Sequence, residues 1–452
     1  MKKKWNQIIH ILVKTDVLNG IISAVIIVCI LFCRKQKEVD YSVLYSLAIV
    51  LIITTVGHFI SVVVNNWIED GIKLTNDYDK LCKSYKNKKQ EYTNPKDNKK
   101  DKKKDESGNK VIFPILNEGK LLDLNIHIDD KPENMYKLPE FAQEHYDELI
   151  KAHSSSSVYN QLNIRIKNWY LNDGVFNIET ERTTYYDSLV TNRAMDYHLE
   201  SGLSIRDKLC YGPFLPALGE SNLSNHIGFN GFLETSDNYI PIIKRNKDLS
   251  IGKRVWGLSV EGSIKVCELV SSETEKLTVS ALIKGIRAEY HKELGIPKNN
   301  DDLKEILKKE KSKKIKKFIE SLIEKGVTLE PKHNPVNQNP VHGICTAYRN
   351  IVEGGKPQFF TYYKTSLTKN ELEVFFKENA RKNTKNLFVD GKRIGWLKAE
   401  DICGDKGFLV YNNKIICKSK IRKTKIRKFK MVPSTSVCFT FAIESGLFNS
   451  EE

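Results

Sequence analysis

The alternation of apolar and polar positions divides the chain into zones of different period. In "LNIRIKNWYLNDGVFNIETERTTYYDSLV" (Leu162–Val190) the two classes alternate around an Asn-Asp-Gly turn, which predicts a β-hairpin. "IGFNGFLETSDNYIPIIKRN" (Ile227–Asn246) predicts two strands around "TSDN". "HGICTAYRNI" and "QFFTYYKTSL" predict two more, with "EGGKP" turning between them. The period lengthens in "LTVSALIKGIRAEYHKELGI" (Leu277–Ile296), a helix ended by Gly295 and Pro297. "DDLKEILKKEKSKKIKKFIESLIEKG" (Asp301–Gly326) is a lysine-rich amphipathic helical region whose charges read most simply as a solvated face. The soluble part is therefore expected to be α+β, a mixed sheet with helices against it.

Two stretches have no period because nearly every position is apolar. "VLNGIISAVIIVCILFC" (Val17–Cys33) is at the short limit for crossing a bilayer, and "VLYSLAIVLIITTVGHFISVVV" (Val43–Val64) is long enough to cross. They predict an N-terminal two-helix transmembrane hairpin. Lysines before and after it favour both termini in the cytoplasm, with membrane lipid as a partner. Thr54, His58, Ser61 and Asn65 share one face of the second run. Such a polar stripe needs neighbouring helices or water, which implies a homo-oligomer.

The expected order is an interfacial N-terminus (1–16), the hairpin (17–67), a linker that is basic and disordered from about 83 (68–110), a β-rich extension (111–225), the α+β domain (226–400) and a basic C-terminal β segment (401–452). Of 452 residues with a net charge of +16, residues 83–110 carry eleven lysines against five acids. Residues 414–430 carry nine Lys/Arg and no acid, so the two segments account for nearly all of the excess. Positive charge is thus local, and a specific nucleic-acid polymer is not expected as a partner. Nine cysteines without a C-x-x-C pair exclude a disulfide framework or an obvious zinc site.

"NGFLETSDNYIPIIKRN…GKRVWGLSVEGSI…IRAEYHKELGI" resembles the Nudix fold over roughly residues 225–400. That family carries a box of the form G-x5-E-x7-R-E-U-x-E-E-x-G-U, U being aliphatic. Glu289, Glu293, Gly295 and Ile296 match it. Ala288 replaces the arginine, with Arg287 one place early, and Lys292 replaces the first glutamate of the E-E pair. Gly262, the candidate opening glycine, lies about a dozen residues too far upstream; Glu268, Glu273 and Glu275 in the intervening loop are out of register. In the family, carboxylates on this helix hold magnesium against a pyrophosphate. An ammonium at Lys292 can pair with Glu289 and repels Mg²⁺.

Together with the predicted hairpin, the box resembles the transmembrane-Nudix effectors of bacterial cyclic-oligonucleotide anti-phage signalling (CBASS). That resemblance implies a sensor for a cyclic oligonucleotide made by a cGAS-like nucleotidyltransferase, with oligomerised hairpins disrupting the bacterial inner membrane. It implies no required cofactor. Lys244, Arg245, Lys253, Arg254, Trp256, Lys292, Arg349 and Lys356 are the candidate ligand-binding residues. The alternative is an active, membrane-anchored Mg-dependent nucleotide pyrophosphatase with Glu289 and Glu293 as catalytic metal ligands. A third reading is a scaffold that grips lipid or nucleic acid through Lys414–Lys430.

Overall fold

The structure, a computed structural model, describes residues 56–57, 74, 81, 84, 121, 124–153, 159–210, 215–246, 255–332, 342–382, 391–403, 408–411, 414–417 and 428–448. Contacts divide the chain into Met1–Gly71 and Ile72–Glu452. Only Val56 and Gly57 of the first unit are described, both helical.

The expected transmembrane hairpin is corrected here. Among the described residues no helix is long and apolar enough to cross a membrane. The longest, Val279–Leu294, has 16 residues and carries lysine, arginine and glutamate. A two-span inner-membrane protein with both termini cytoplasmic therefore has no support. The apolar runs lie outside the described residues apart from Val56 and Gly57, and so do Thr54, His58, Ser61 and Asn65.

The second unit is a mixed α/β structure. Its strands are β1 (Asn125–Met135), β2 (Leu162–Asn172), β3 (Val175–Thr184), β4 (Gly228–Glu234), β5 (Tyr239–Arg245), β6 (Trp256–Gly257), β7 (Val260–Ser263), β8 (Leu329–Pro331), β9 (Ile344–Asn350), β10 (Lys356–Thr365), β11 (Gly391–Lys398), β12 (Phe408–Tyr411), β13 (Lys414–Cys417) and β14 (Lys428–Lys430). The helices of ten residues or more are α1 (Val279–Leu294), α2 (Asn300–Lys309), α3 (Lys313–Lys325), α4 (Lys369–Lys382) and α5 (Pro433–Glu444).

β10 is the centre of the largest sheet, ordered β7-β4-β10-β8. It runs parallel to β4 and antiparallel to β9 and β8. Nine of its ten residues are buried, as a strand covered on both faces requires. The two-residue period sorts its aromatics: Phe359 and Tyr363 enter one hydrophobic cluster, Phe360 and Tyr362 another. β4 follows suit, with Phe229 and Leu233 on one side and Phe232 on the other. Leu282, Ile286, Tyr290 and Leu294 of α1 cover the first face. Val437, Phe439, Phe441 and Ala442 of α5 cover the second. The sheet is thus the middle of three layers.

Gly231 of β4 makes the first packing possible. A Cβ there would stand 1.9 Å from the Tyr290 hydroxyl, which reaches past it to the Thr361 hydroxyl (2.9 Å) and the Phe232 carbonyl (3.1 Å).

The hairpin at Asn-Asp-Gly forms as its alternation predicts, β2 against β3, with Asp173 and Gly174 both at positive φ. The strands around "TSDN" also form but join different sheets. β4 pairs with β7 and β10, while β5 pairs with β11 and β6. The region Asp301–Gly326 breaks at 310–312 into α2 and α3. Pro433–Glu444 is helical within a segment expected to be β: Pro433 at the first turn presets the helix, and apolar residues around it let every side bury. The segment 111–225 is not a separate body where it is described. Ile164, Ile166, Trp169, Phe176 and Ile178 share the cluster beneath α1.

Candidate functional site

The site grows from α1. Thr278 starts the helix by accepting from the Ala281 amide, and Gly295 ends it at φ 70°, where a left-handed residue is needed. With Leu282, Ile286, Tyr290 and Leu294 turned inward, Glu289, Lys292 and Glu293 fall at the edge of the buried face. Both glutamates are buried. Gly262 of β7 lies beside them, its ideal Cβ position 3.9 Å from Glu289 Oε2.

Lys292 occupies the middle of the carboxylates. Its Nζ donates to Glu289 Oε1 at 2.6 Å and to Glu268 Oε1 at 3.3 Å. Lys265 Nζ holds the same Glu268 oxygen at 3.2 Å. Burial would depress the Lys292 ammonium, but Glu289 and Glu268 outweigh it and hold it above the usual lysine range. Burial pushes the Glu289 carboxyl up, against the pull of Lys292. These directions compete within one pair. The lysine's governs, because its side chain is a third exposed and keeps its hydration while Glu289 keeps a charged donor. Burial would also raise Glu268, yet Lys292 and Lys265 bring it below the ordinary carboxylate range.

This donor set does not fit the magnesium that the Nudix resemblance implies for an active site. An ammonium is paired with Glu289, one of the two carboxylates that would have to converge on the cation. Among the described residues no group of three His, Cys, Asp or Glu side chains is placed to hold a metal ion. Glu293 also raises the Lys292 ammonium through its charge, and it lines a hollow of about 10 Å³ with Arg245 and Glu261.

Outside this ion cluster lies an open cleft of about 510 Å³ between α1 and α2. Ala288, Ile296, Pro297 and Ile306 give it an apolar lining; Glu268, Glu289, His291, Lys292, Lys298 and Lys309 are among its polar groups. Burial, partly offset by a contact to the Ile296 carbonyl, holds His291 below the ordinary imidazole range. Lys309 pairs with Glu305. Asp302 accepts the Lys298 amide at 2.8 Å.

Of the six candidate ligand-binding residues that are described, only Lys292 lines this cleft. Lys253 and Arg254 lie outside the described residues. Arg245 is ion-paired with Glu261, which also accepts from the Leu258 amide and the Thr435 hydroxyl. Lys244 lies over the Trp256 ring at 5.3 Å, and burial, then Arg393, lowers its ammonium. Trp256 packs on the core with Gly395 beneath its ring. Arg349 is buried, donating to the carbonyls of Pro216 (2.6 Å) and Gly355 (3.2 Å). Lys356 is buried 4.0 Å from Glu353, and burial lowers its pKa to about 8. Arg287 donates to the Leu329 carbonyl, away from the carboxylates.

Sequence reasoning missed His291, Lys298 and Lys309. It named Glu268 only as out of register. Their shared signal is proximity to α1 or its exit, but the approach of α2 decides the cleft.

The chain matches no protein-family model. No curated protein is similar to it. Among solved structures, the crystal structure of DR0079 from Deinococcus radiodurans is similar at 13% identity. The likeness covers 39% of this chain and 69% of that one, with a TM-score of 0.19, too low to carry an argument.

Proposed function

We propose that this chain is a nucleotide sensor whose α1–α2 cleft binds a cyclic oligonucleotide without hydrolysing it. The role is the one implied by the box's resemblance to Nudix effectors of anti-phage signalling. The supporting observation is the Lys292 ammonium, 2.6 Å from Glu289 and 3.3 Å from Glu268. It neutralises Glu289, one of the two carboxylates that a Nudix hydrolase would devote to magnesium. A cleft of about 510 Å³ is within the usual range of ligand pockets. Its apolar lining suits the face of a base, and Lys298 is placed to meet a phosphate.

The test is calorimetry of the full chain with a panel of cyclic di- and trinucleotides, followed by chromatography of the ligand after long incubation with Mg²⁺. Saturable binding to one member, with that ligand recovered intact, is expected. Linear or mononucleotide products would establish the pyrophosphatase instead. Absence of binding across the panel would remove the sensor reading. Lys298→Ala should weaken binding by about 1.5–3 kcal/mol, the usual loss of a charge-assisted hydrogen bond.

A further inference from the structure

The most concentrated charge among the described residues lies at the joint between α2 and α3. Residues 308–317 include seven lysines and one glutamate. Lys308, Lys311, Lys313 and Lys317 are exposed and Lys316 is half-buried. None of these five makes an ion pair among the described residues. The acids nearby are engaged elsewhere: Glu305 pairs with Lys309, and Glu310 Oε1 accepts the amides of Lys311 and Ser312, each at 2.7 Å.

Helix stability does not account for the arrangement. α2 follows the dipole rule, with Asp301 and Asp302 in its first turn and Lys308 and Lys309 in its last. α3 reverses it. No acid stands in its first turn, and Lys313, Lys316 and Lys317 crowd the positive end of the dipole. Lys313 and Lys317 are four residues apart, a repulsive spacing on a helix. An external polyanion would relieve both penalties.

The apolar faces of the pair narrow the choice of polyanion. Leu303, Ile319 and Leu322 are buried in the cluster beneath α1, with Ile306, Leu307, Ile315, Phe318 and Ile323 packed against it. The lysine surface therefore presents no apolar stripe to insert among lipid chains, as an interfacial helix needs. It presents cations at helical spacing, which suits a line of phosphates. We infer that the α2–α3 joint is a docking surface for a nucleic-acid backbone, bound through phosphates without base readout. It needs no specific nucleic-acid sequence, and it is independent of the cleft's ligand.

The test is fluorescence anisotropy of the full chain with a fluorescein-labelled 20-base-pair duplex, titrated at salt concentrations from 50 to 200 mM. Five phosphate contacts predict a slope of log affinity against log salt of about −4 to −5 from this patch. Replacing Lys308, Lys311, Lys313, Lys316 and Lys317 together with Gln should make the slope shallower by about that amount and weaken binding at least about tenfold at 50 mM. Glutamine is a good helix former, so the fold should survive, as circular dichroism would verify. The five-arginine counterpart should retain binding. The inference is overturned if the glutamine variant keeps the wild-type slope and affinity. It is also overturned if the wild type binds no duplex, including the case where it sediments only with vesicles rich in phosphatidylserine.

Discussion

One side chain, Lys292, determines which chemistry is open to the carboxylates of α1. Its ammonium donates to Glu289 and Glu268 in the place where a divalent cation would be shared. Changing its sign should restore the competition. Lys292→Glu brings a fourth carboxylate among Glu268, Glu289 and Glu293, while Lys265 still pairs with Glu268. The variant should lose stability in chelator and regain it with Mn²⁺ or Mg²⁺. Ligand linkage gives about 2.7 kcal/mol at a metal concentration a hundred times Kd. Thermal denaturation with and without metal measures this, and the wild type should not respond. A variant melting identically in both buffers would show that the carboxylates cannot converge. The Lys292–Glu289 pair was legible in the sequence because three residues on a helix are always neighbours. Glu268 was not, because its position depends on the path from β7 to α1, which no local period encodes. Arg349 and Lys356 carry charge at a strand–turn–strand, which suggests a ligand contact, yet both are interior groups facing Pro216 and Glu353, a burial that charge pattern does not encode.

At the scale of elements, α1 lies on the sheet only because β4 has a glycine under Tyr290. Gly231→Ala puts a methyl group where the Tyr290 ring and hydroxyl already stand, 2.6 and 1.9 Å from the new carbon. Overpacking of this kind should destabilise by about 1–3 kcal/mol, read as a lower urea midpoint. Tyr290→Phe keeps the ring and loses the hydrogen bonds to Thr361 and Phe232, for about 0.5–1.5 kcal/mol. If Gly231→Ala is neutral, α1 is not seated against β4 as described. Most of these elements were visible in the periods of the chain, including β2–β3, β9–β10 and α1. Their partners were less visible. β4 and β5 look like a hairpin because they flank a turn, yet after Thr235 they part into separate sheets. α5 falls in the segment 401–452 expected to be β, and its Val437, Thr440 and Phe441 are residue types that favour extended backbone. Burial against Phe232 and Phe360 overrides that preference.

At the scale of the molecule, the β1–β3 layer and the α1 layer are held by a buried ion pair. Arg182 donates to both oxygens of Asp130 at 2.7 and 2.9 Å, and the Leu277 amide, at the approach to α1, donates to Asp130 Oδ2 at 2.6 Å. Burial would raise the Asp130 carboxyl, but Arg182, the Leu277 amide and Thr180 hold it below its ordinary value. Its folded pKa is depressed, so its contribution is complete above the unfolded value of 3.8 and is lost as pH falls through the folded one. Asp130→Asn leaves Arg182 buried without its partner and should cost about 3–5 kcal/mol at pH 7. The cost should begin to shrink as pH falls below 3.8 and should be gone once pH has passed the lower folded value, where the folded wild type loses the same charge. A cost unchanged by pH would assign the loss to packing.

The junction between residues 225 and 226 shows how far this joining goes. Ile227 donates its amide to Ile164, Ile166 donates to Asn225, and His226 bridges to Arg165. A gene trimmed to begin at residue 226 would therefore not yield a smaller folded unit. It would strip a strand's worth of hydrogen bonds from the approach to β4 and expose Phe229 and Ile286 to water. Such a fragment would be handled in a cell as an unfolded chain, and any change that recombines this region with another protein must carry the β1–β3 layer along.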